Sequence, residues 1–465
     1  MLSKINNSLN GRAILYTFGN FALAASNFLA SVIFIRIMSV ADYGLASVYI
    51  TWVLLFSKII GLRIEGTIQN AMLSYGRDKL RQYCSSVLAL DLLFSLLILV
   101  ISILFLEPIS GLLDLREEFV VLAIVTSFFI VCSDLRRNYC SATKNALGDL
   151  LVSCALAFGQ IILSIVFIYA ELFDSGYSDR VWGYSIPAVI IGLAICLFFF
   201  SRGRKFFCLK YWRFCLSFSL PMILNGIAYL IINQSDRLLL NSLIGAEAAG
   251  IFAFSFSLAQ PIGVITQSLG TAWQPEYYEL KSKGKVNLLA NHAKRYTWNV
   301  FLVAMLLMCI TPEMLIILGT PEYYSGVPIL PFIIAGYFFQ FLYTWPVNCE
   351  MFYRKTIGIT IATAVAAIAN VLLNIALIPC FALMGSAIAS SISFLLLFSV
   401  HHLFARAFVK DYNLRIQWFF PFIAGILVAT ISMFLLSDFL LIRWLVGAAV
   451  LGILVYRIKR DKSIV

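Results

Sequence analysis

Polar residues interrupt this chain at intervals, and between the interruptions apolar residues run for about 18–24 positions, the length of α-helix that crosses a bilayer core. Fourteen such runs are read. The first seven are 13–35, 43–62, 84–106, 117–135, 146–170, 181–200 and 214–234; the second seven are 248–270, 296–318, 326–346, 357–378, 383–402, 417–437 and 440–456. The breaks are compact. In FIRIMSVADYGLASVY (34–49), Ser39 and Asp42 are suited to capping the second helix, and Gly44 in its first turn permits close helix approach. Pro261 and Gly263 allow a bend in the eighth run, and Pro346 is expected to kink or end the tenth.

Charge tests this pattern independently. With both termini cytoplasmic, 28 of the 34 basic residues fall in cytoplasmic segments. Arg36, Arg116, Arg180, Arg237 and Arg443 fall outside, and Lys58 lies within a run. Basic residues set orientation, and a helix missed or added would invert every later loop. The expected architecture is an all-α polytopic membrane protein with both ends inside.

Composition agrees: 61% of residues are hydrophobic and 12% charged, about half the charge of a soluble domain. The net charge of +11 is scattered in small clusters between runs, which fits membrane orientation and not nucleic acid. The opening MLSKINNSLNGRAI leads straight into an apolar run without a small-residue cleavage site. Ten cysteines, mostly inside apolar runs and without CxxC spacing, read as packing residues. No nucleotide-binding loop, HExxH motif or nucleophile–base arrangement emerges, so the chain reads as a non-enzyme with no metal.

An internal echo organises the runs. SVADYGLASVY (39–49) is matched loosely by GAEAAGIFAFS (245–255), with Gly44 and Gly250 offset by 206 residues. The same offset sets Gly19 and Asn20 against Asn225 and Gly226. Six helices separate the copies, so they share one orientation, as in transporters built from parallel repeats. The expected division is a six-helix lobe at 1–206, a second at 207–410, and a helix pair with tail at 411–465.

Ionisable residues within spans are costly in lipid and mark candidate sites. Lys58, Arg63 and Glu65 form the clearest group, read as an interfacial ion pair or as a cationic lining, with Gln69 and Asn70 extending the strip. Asp91, read as the one strong in-span carboxylate, is expected to pair with Lys58; ion coupling is its alternative role. Glu350 and Arg354 are expected to pair at helical spacing. His292, His401 and His402 are expected to be solvated near cytoplasmic boundaries. Arg36 is placed at the outer interface, anchoring to headgroups or touching an anionic substrate, and Asp236 with Arg237 at the matching rim. Gln260, Gln267, Trp273 and Asn225 are candidates for a sugar path, because tryptophan covers a sugar's apolar face while amides bond its hydroxyls; ordinary packing is the competing reading.

GNFALAASNFLASVIFIRIMSVADYGLASVYITW (19–52) and SDRLLLNSLIGAEAAGIFAFSFSLAQP (235–261), together with the fourteen-run layout, resemble the polysaccharide transport family. These are the Wzx-type O-antigen and repeat-unit flippases of the multidrug/oligosaccharidyl-lipid/polysaccharide exporter superfamily. The resemblance implies an inner-membrane protein that turns undecaprenyl-pyrophosphate-linked oligosaccharide from the cytoplasmic to the periplasmic leaflet by alternating access. By that pattern Lys58, Arg63 and Arg237 would receive the pyrophosphate. Membrane lipids and polysaccharide polymerase machinery are the implied partners, with a Na⁺ or H⁺ gradient as the energy source. The alternatives are a lipid-linked peptidoglycan-precursor flippase, a cation-coupled multidrug exporter, or a non-transporting membrane scaffold.

Overall fold

The computed structural model describes residues 25–409, 412 and 414–460, and these are helical throughout apart from their connections, with no strand among them. The start of the first expected run, with Lys4, Arg12, Gly19 and Asn20, lies outside the described residues, as do Lys410 and Lys462. The helices are α1 (Ala25–Ile37), α2 (Val40–Ile60), α3 (Ile68–Leu104), the short α4 (Leu106–Leu113), α5 (Glu117–Ala142), α6 (Ala146–Ala170), α7 (Gly176–Gly203) and α8 (Leu209–Leu243). They continue with α9 (Ala246–Ser282), α10 (Val286–Leu318), α11 (Leu330–Phe352), α12 (Thr356–Phe408), α13 (Phe420–Leu435) and α14 (Leu440–Arg460). Among the described residues ten helices are long and apolar enough to cross a membrane, or eleven if α8, bent by 42° between Leu220 and Met222, is one span.

The expected corner between the first two runs forms as its residue types dictate. Ser39 caps α2: its Oγ accepts from the Asp42 N–H at 3.0 Å and donates to Asp42 Oδ2 at 2.8 Å. Asp42 in the first turn and Lys58 in the last complement the helix dipole. Gly44 is buried.

Helix boundaries depart from the apolar runs in informative places. The polar segment before Asp91 is helical, so α3 starts at Ile68 and absorbs much of the expected loop, breaking only at Gly76 (φ 75°). An L side chain disfavours that conformation and glycine adopts it freely. Pro346 neither ends nor interrupts α11. The 53 residues of α12 would extend about 80 Å as one rod. Instead Ala382 (φ 47°, ψ −126°) breaks it between the apolar runs at 357–378 and 383–402.

The chain forms two compact units, one through Ile227 and one from Ala228. In the first, α5 is the most enclosed helix and packs on α2, α3, α6 and α7. Hydroxyls tie its centre: Tyr49 Oη lies 2.7 Å from Ser185 Oγ and 3.3 Å from Thr126 Oγ1. Gly183 lets α7 lie against α6, since a Cβ there would fall 2.3 Å from Ser164 Cα. In the second unit α11 is the enclosed helix, surrounded by α9, α10, α12 and α13.

Candidate functional site

The Lys58 group is a charge network at one end of the first unit. Lys58 lies in the last turn of α2, and the turn that follows the helix holds Leu62 and Arg63 in left-handed conformations, φ 46° and 51°. That turn brings Glu65 back towards both cations: Lys58 Nζ lies 3.8 Å from Glu65 Oε1, and Arg63 Nε lies 3.9 Å from it. Asp134 of α5 sits 3.4 Å from Lys58 Nζ and 3.6 Å from Arg137, whose Nε reaches Asp149 Oδ1 of α6 at 3.2 Å. Three basic and three acidic side chains therefore alternate through half-buried positions. The local ion pair expected of Lys58, Arg63 and Glu65 is present, and two acids from α5 and α6 extend it.

Asp91 does not join this network, contrary to the expected Lys58–Asp91 pair. Because α3 begins at Ile68, Asp91 falls well inside the helix, where it is 0% exposed and neither carboxylate oxygen has a hydrogen-bond partner. Nor is it the one strong carboxylate within the helices. Asp236, Glu313 and Glu350 are buried as well. Asp236, expected at an outer rim with Arg237, is buried in the second unit. It accepts from Asn374 Nδ2 at 2.8 Å and Ser390 Oγ at 2.6 Å, while Ser386 Oγ donates to Asn374 Oδ1 at 2.8 Å. The adjacent Arg237 donates to Gln234 Oε1 at 2.7 Å, with its guanidinium 5.2 Å from the Phe256 ring.

The expected Glu350–Arg354 pair is also absent. Helix α11 ends at Phe352, and Arg354 (φ 55°) lies beyond it, so the four-residue helical spacing no longer aligns them. Glu350 meets His401 instead, at 2.8 Å. His401 and His402 are buried, not solvated, because α12 runs on to Phe408 and carries both on an inward face. His292 is half-buried and lies 3.0 Å from Glu276.

A cavity of about 440 Å³ opens within the second unit, between the second half of α8, the middle of α9 and the face of α11. Gln260, Gln267 and Gln274 of α9 line it, with Asn233 of α8 and Gln340 and Asn348 of α11; Thr266, Thr344 and three tyrosines add hydroxyls. No acidic or basic side chain occurs among the described residues lining it. Gln340 Nε2 donates to Tyr229 Oη at 2.9 Å and Asn233 Oδ1 at 3.0 Å, fixing the α8–α11 wall. Each amide offers donors and acceptors together, the set that a cluster of sugar hydroxyls requires.

Of the four sugar-path candidates, Gln260 and Gln267 face this cavity. Trp273 does not: it is buried among Tyr277, His292, Tyr296 and Trp345. Asn225 belongs to the first unit, where its Oδ1 is buried without a hydrogen-bond partner. Arg36 is an exposed residue near the end of α1. Gln274, Gln340 and Asn348 were not read from the pattern, although glutamines at 260, 267 and 274 recur every second helical turn.

A profile of the family described as polysaccharide biosynthesis protein matches residues 12–281, more than half of the chain. The protein belongs to this family. Two relatives from Haemophilus influenzae extend the similarity. Lsg locus putative protein 1 is 23% identical over 311 residues, 65% of this chain and 74% of its own. An uncharacterized membrane protein is 21% identical over 362 residues, 74% of this chain and 83% of its own. Among solved structures, the lipid II flippase MurJ in an inward-closed conformation gives a TM-score of 0.73, with 15% identity, over 96% of this chain and 99% of that one. An inward-facing multidrug transporter of the MATE family gives 0.63, with 13% identity, over 85% and 100%. This polysaccharide biosynthesis protein thus has the fold of the MOP superfamily, and the resemblance read from 19–52 and 235–261 is borne out.

Proposed function

We propose that this family member is a flippase that moves undecaprenyl-pyrophosphate-linked oligosaccharide repeat units, for O-antigen or a related surface polysaccharide, from the cytoplasmic to the periplasmic leaflet. The single observation that carries the reading is the amide- and hydroxyl-lined cavity of the second unit in a polysaccharide biosynthesis protein with a transporter fold. Its neutral lining suits sugar hydroxyls better than the cationic drugs of a multidrug exporter. The Lys58–Arg63 network supports a place for the pyrophosphate at the membrane surface, where phosphate oxygens would replace Glu65 and Asp134 around the cations. Arg237 and Arg36 complete the proposed anion path. The reading has fourteen spans, both termini cytoplasmic, two six-helix lobes that alternate access, and a final helix pair. It places the protein in the bacterial inner membrane, beside polymerase machinery, and drives it with an ion gradient.

The test uses purified protein in liposomes containing a labelled undecaprenyl-pyrophosphate oligosaccharide. Its sugar is offered to an enzyme confined to one side. Protein-dependent transfer of matched glycan lipid, and not of a short unrelated one, is the expected result. No transfer across several matched glycans and gradients, beside a working control flippase, sinks the reading.

A further inference from the structure

Glu350 and His401 are each 0% exposed, and both lie within long apolar helices of the second unit. His401 Nδ1 stands 2.8 Å from Glu350 Oε2, and its Nε2 stands 3.3 Å from Thr363 Oγ1. Thr363 commits its own hydroxyl hydrogen to the carbonyl of Ile359, the shorter contact at 2.9 Å. Its oxygen can therefore only accept from the ring, which puts a hydrogen on His401 Nε2. With Nε2 protonated, two arrangements satisfy the short Nδ1–Oε2 contact. The ring is a doubly protonated imidazolium facing a carboxylate, or it is neutral and accepts from a protonated Glu350. Both hold one proton between the two groups and leave the pair without net charge. The remaining arrangement, a neutral ring donating from Nδ1 to an ionised Glu350, leaves Nε2 without a donor and buries a net negative charge. Glu350 Oε1 has no hydrogen-bond partner to stabilise that charge.

The pair stands one residue layer behind the amide-lined cavity. Tyr343, which lines the cavity, packs its ring 4.9 Å from that of His401, and Asn348 and Met351 of the lining flank Glu350 along α11. Its other titratable neighbours are Cys349 beside it on α11, and Tyr412, which bonds His402 at 2.8 Å. Beyond His402 stands Arg406, one turn further along α12. No described basic side chain pairs with the carboxylate other than His401.

We infer that Glu350 and His401 form a proton-carrying site, holding one proton between them in this conformation and exchanging it with water as the transport cycle runs. Release to water leaves a neutral imidazole and a carboxylate; no other bond changes. The proton's coupling to transport rests on the flippase reading, and its presence in the pair does not.

Two measurements test this. The full chain, labelled with ¹⁵N-histidine in nanodiscs, contains three histidines, and His401→Gln assigns the signal of interest by its loss. At pH 7 the expected state is either an imidazolium, or an Nε2–H tautomer accompanied by an infrared band of a protonated carboxyl that Glu350→Gln removes. An Nδ1–H tautomer without such a band overturns the site. In proteoliposomes, flipping of the glycan lipid is expected to respond to a pH gradient in the wild type and to lose that response in Glu350→Gln and His401→Gln. A wild type indifferent to the gradient, or folded variants that keep the response, overturns the coupling. A wild type that flips nothing sinks the flippase reading and the coupling with it, while the ring signal still decides the proton.

Discussion

Gln260, Gln267 and Gln274 stand two helical turns apart on α9, so their amides form a ladder down one wall of the cavity. Removing one rung leaves any bound hydroxyl short of one neutral hydrogen bond, worth about 1 kcal/mol. Gln267→Ala is therefore expected to raise the glycan-lipid concentration for half-maximal flipping by roughly fivefold. Normal insertion and an unchanged concentration dependence in liposomes would count against the ladder. Trp273→Phe leaves the lining untouched and is expected to show no such shift. Gln274 went unread, but Gln260 and Gln267 were legible in the sequence because amides stand out within an apolar helix. The direction in which Trp273 points was not, since an indole suits a sugar face and an aromatic cluster equally. Asp236 and Glu350 were read beside the basic residues nearest in sequence, and only the fold shows that Asn374, Ser390 and His401 are their hydrogen-bonding partners.

Among the elements, α14 packs on α10, and a buried ion pair joins the two. Arg443 spreads both terminal nitrogens across Glu313, with Nη1–Oε2 at 3.2 Å and Nη2–Oε1 at 2.5 Å. Truncating one partner of a buried pair strands the other, at about 3–5 kcal/mol. Arg443→Ala is expected to lower the thermal midpoint of the purified protein by several degrees; an unshifted midpoint would show that α14 is held by packing alone. An exposed contact behaves differently. Arg116 Nη2 donates to Asp174 Oδ2 at 2.7 Å, clasping the loop before α7, and this bond holds the Asp174 carboxyl below the usual range. A depressed carboxyl contributes above its unfolded value and loses that contribution as pH falls through the folded one. Hydrogen exchange in residues 171–175 is thus expected to stay constant from pH 5 to 8 after correction for intrinsic rates. It rises on strong acidification, and Asp174→Asn should reproduce that rise at neutral pH. Protection indifferent to the substitution would remove the clasp. Most helices followed directly from the spacing of apolar runs, and the break at Ala382 falls between two of those runs. The break at Gly76 did not follow, because helix formation in the polar stretch before Asp91 hid it.

For the whole molecule, orientation is the property that the sequence argues best. In the fourteen-span reading 28 basic residues share one side, and that reading is cumulative because orientation depends on summed Lys and Arg near helix ends and not on any one contact. The same sum predicts which surfaces reagents reach. Asp174, between α6 and α7, and Lys283, between α9 and α10, fall on opposite sides in the fourteen-span reading. Cys380, the exposed one of the ten described cysteines, is replaced first to lower the background. In intact spheroplasts, Asp174→Cys is then expected to react with a membrane-impermeant maleimide. Lys283→Cys should react only after the inner membrane is opened. The positions are separated by α7, α8 and α9, an odd number of crossings, so they exchange sides together if an upstream span is missed. They share a side if one of those three helices fails to cross. Labelling of both from outside would therefore indict α7, α8 or α9 specifically, and the bent α8 would be the first to test. Reversed labelling would instead place the error in α6 or upstream of it, among the spans that precede Asp174.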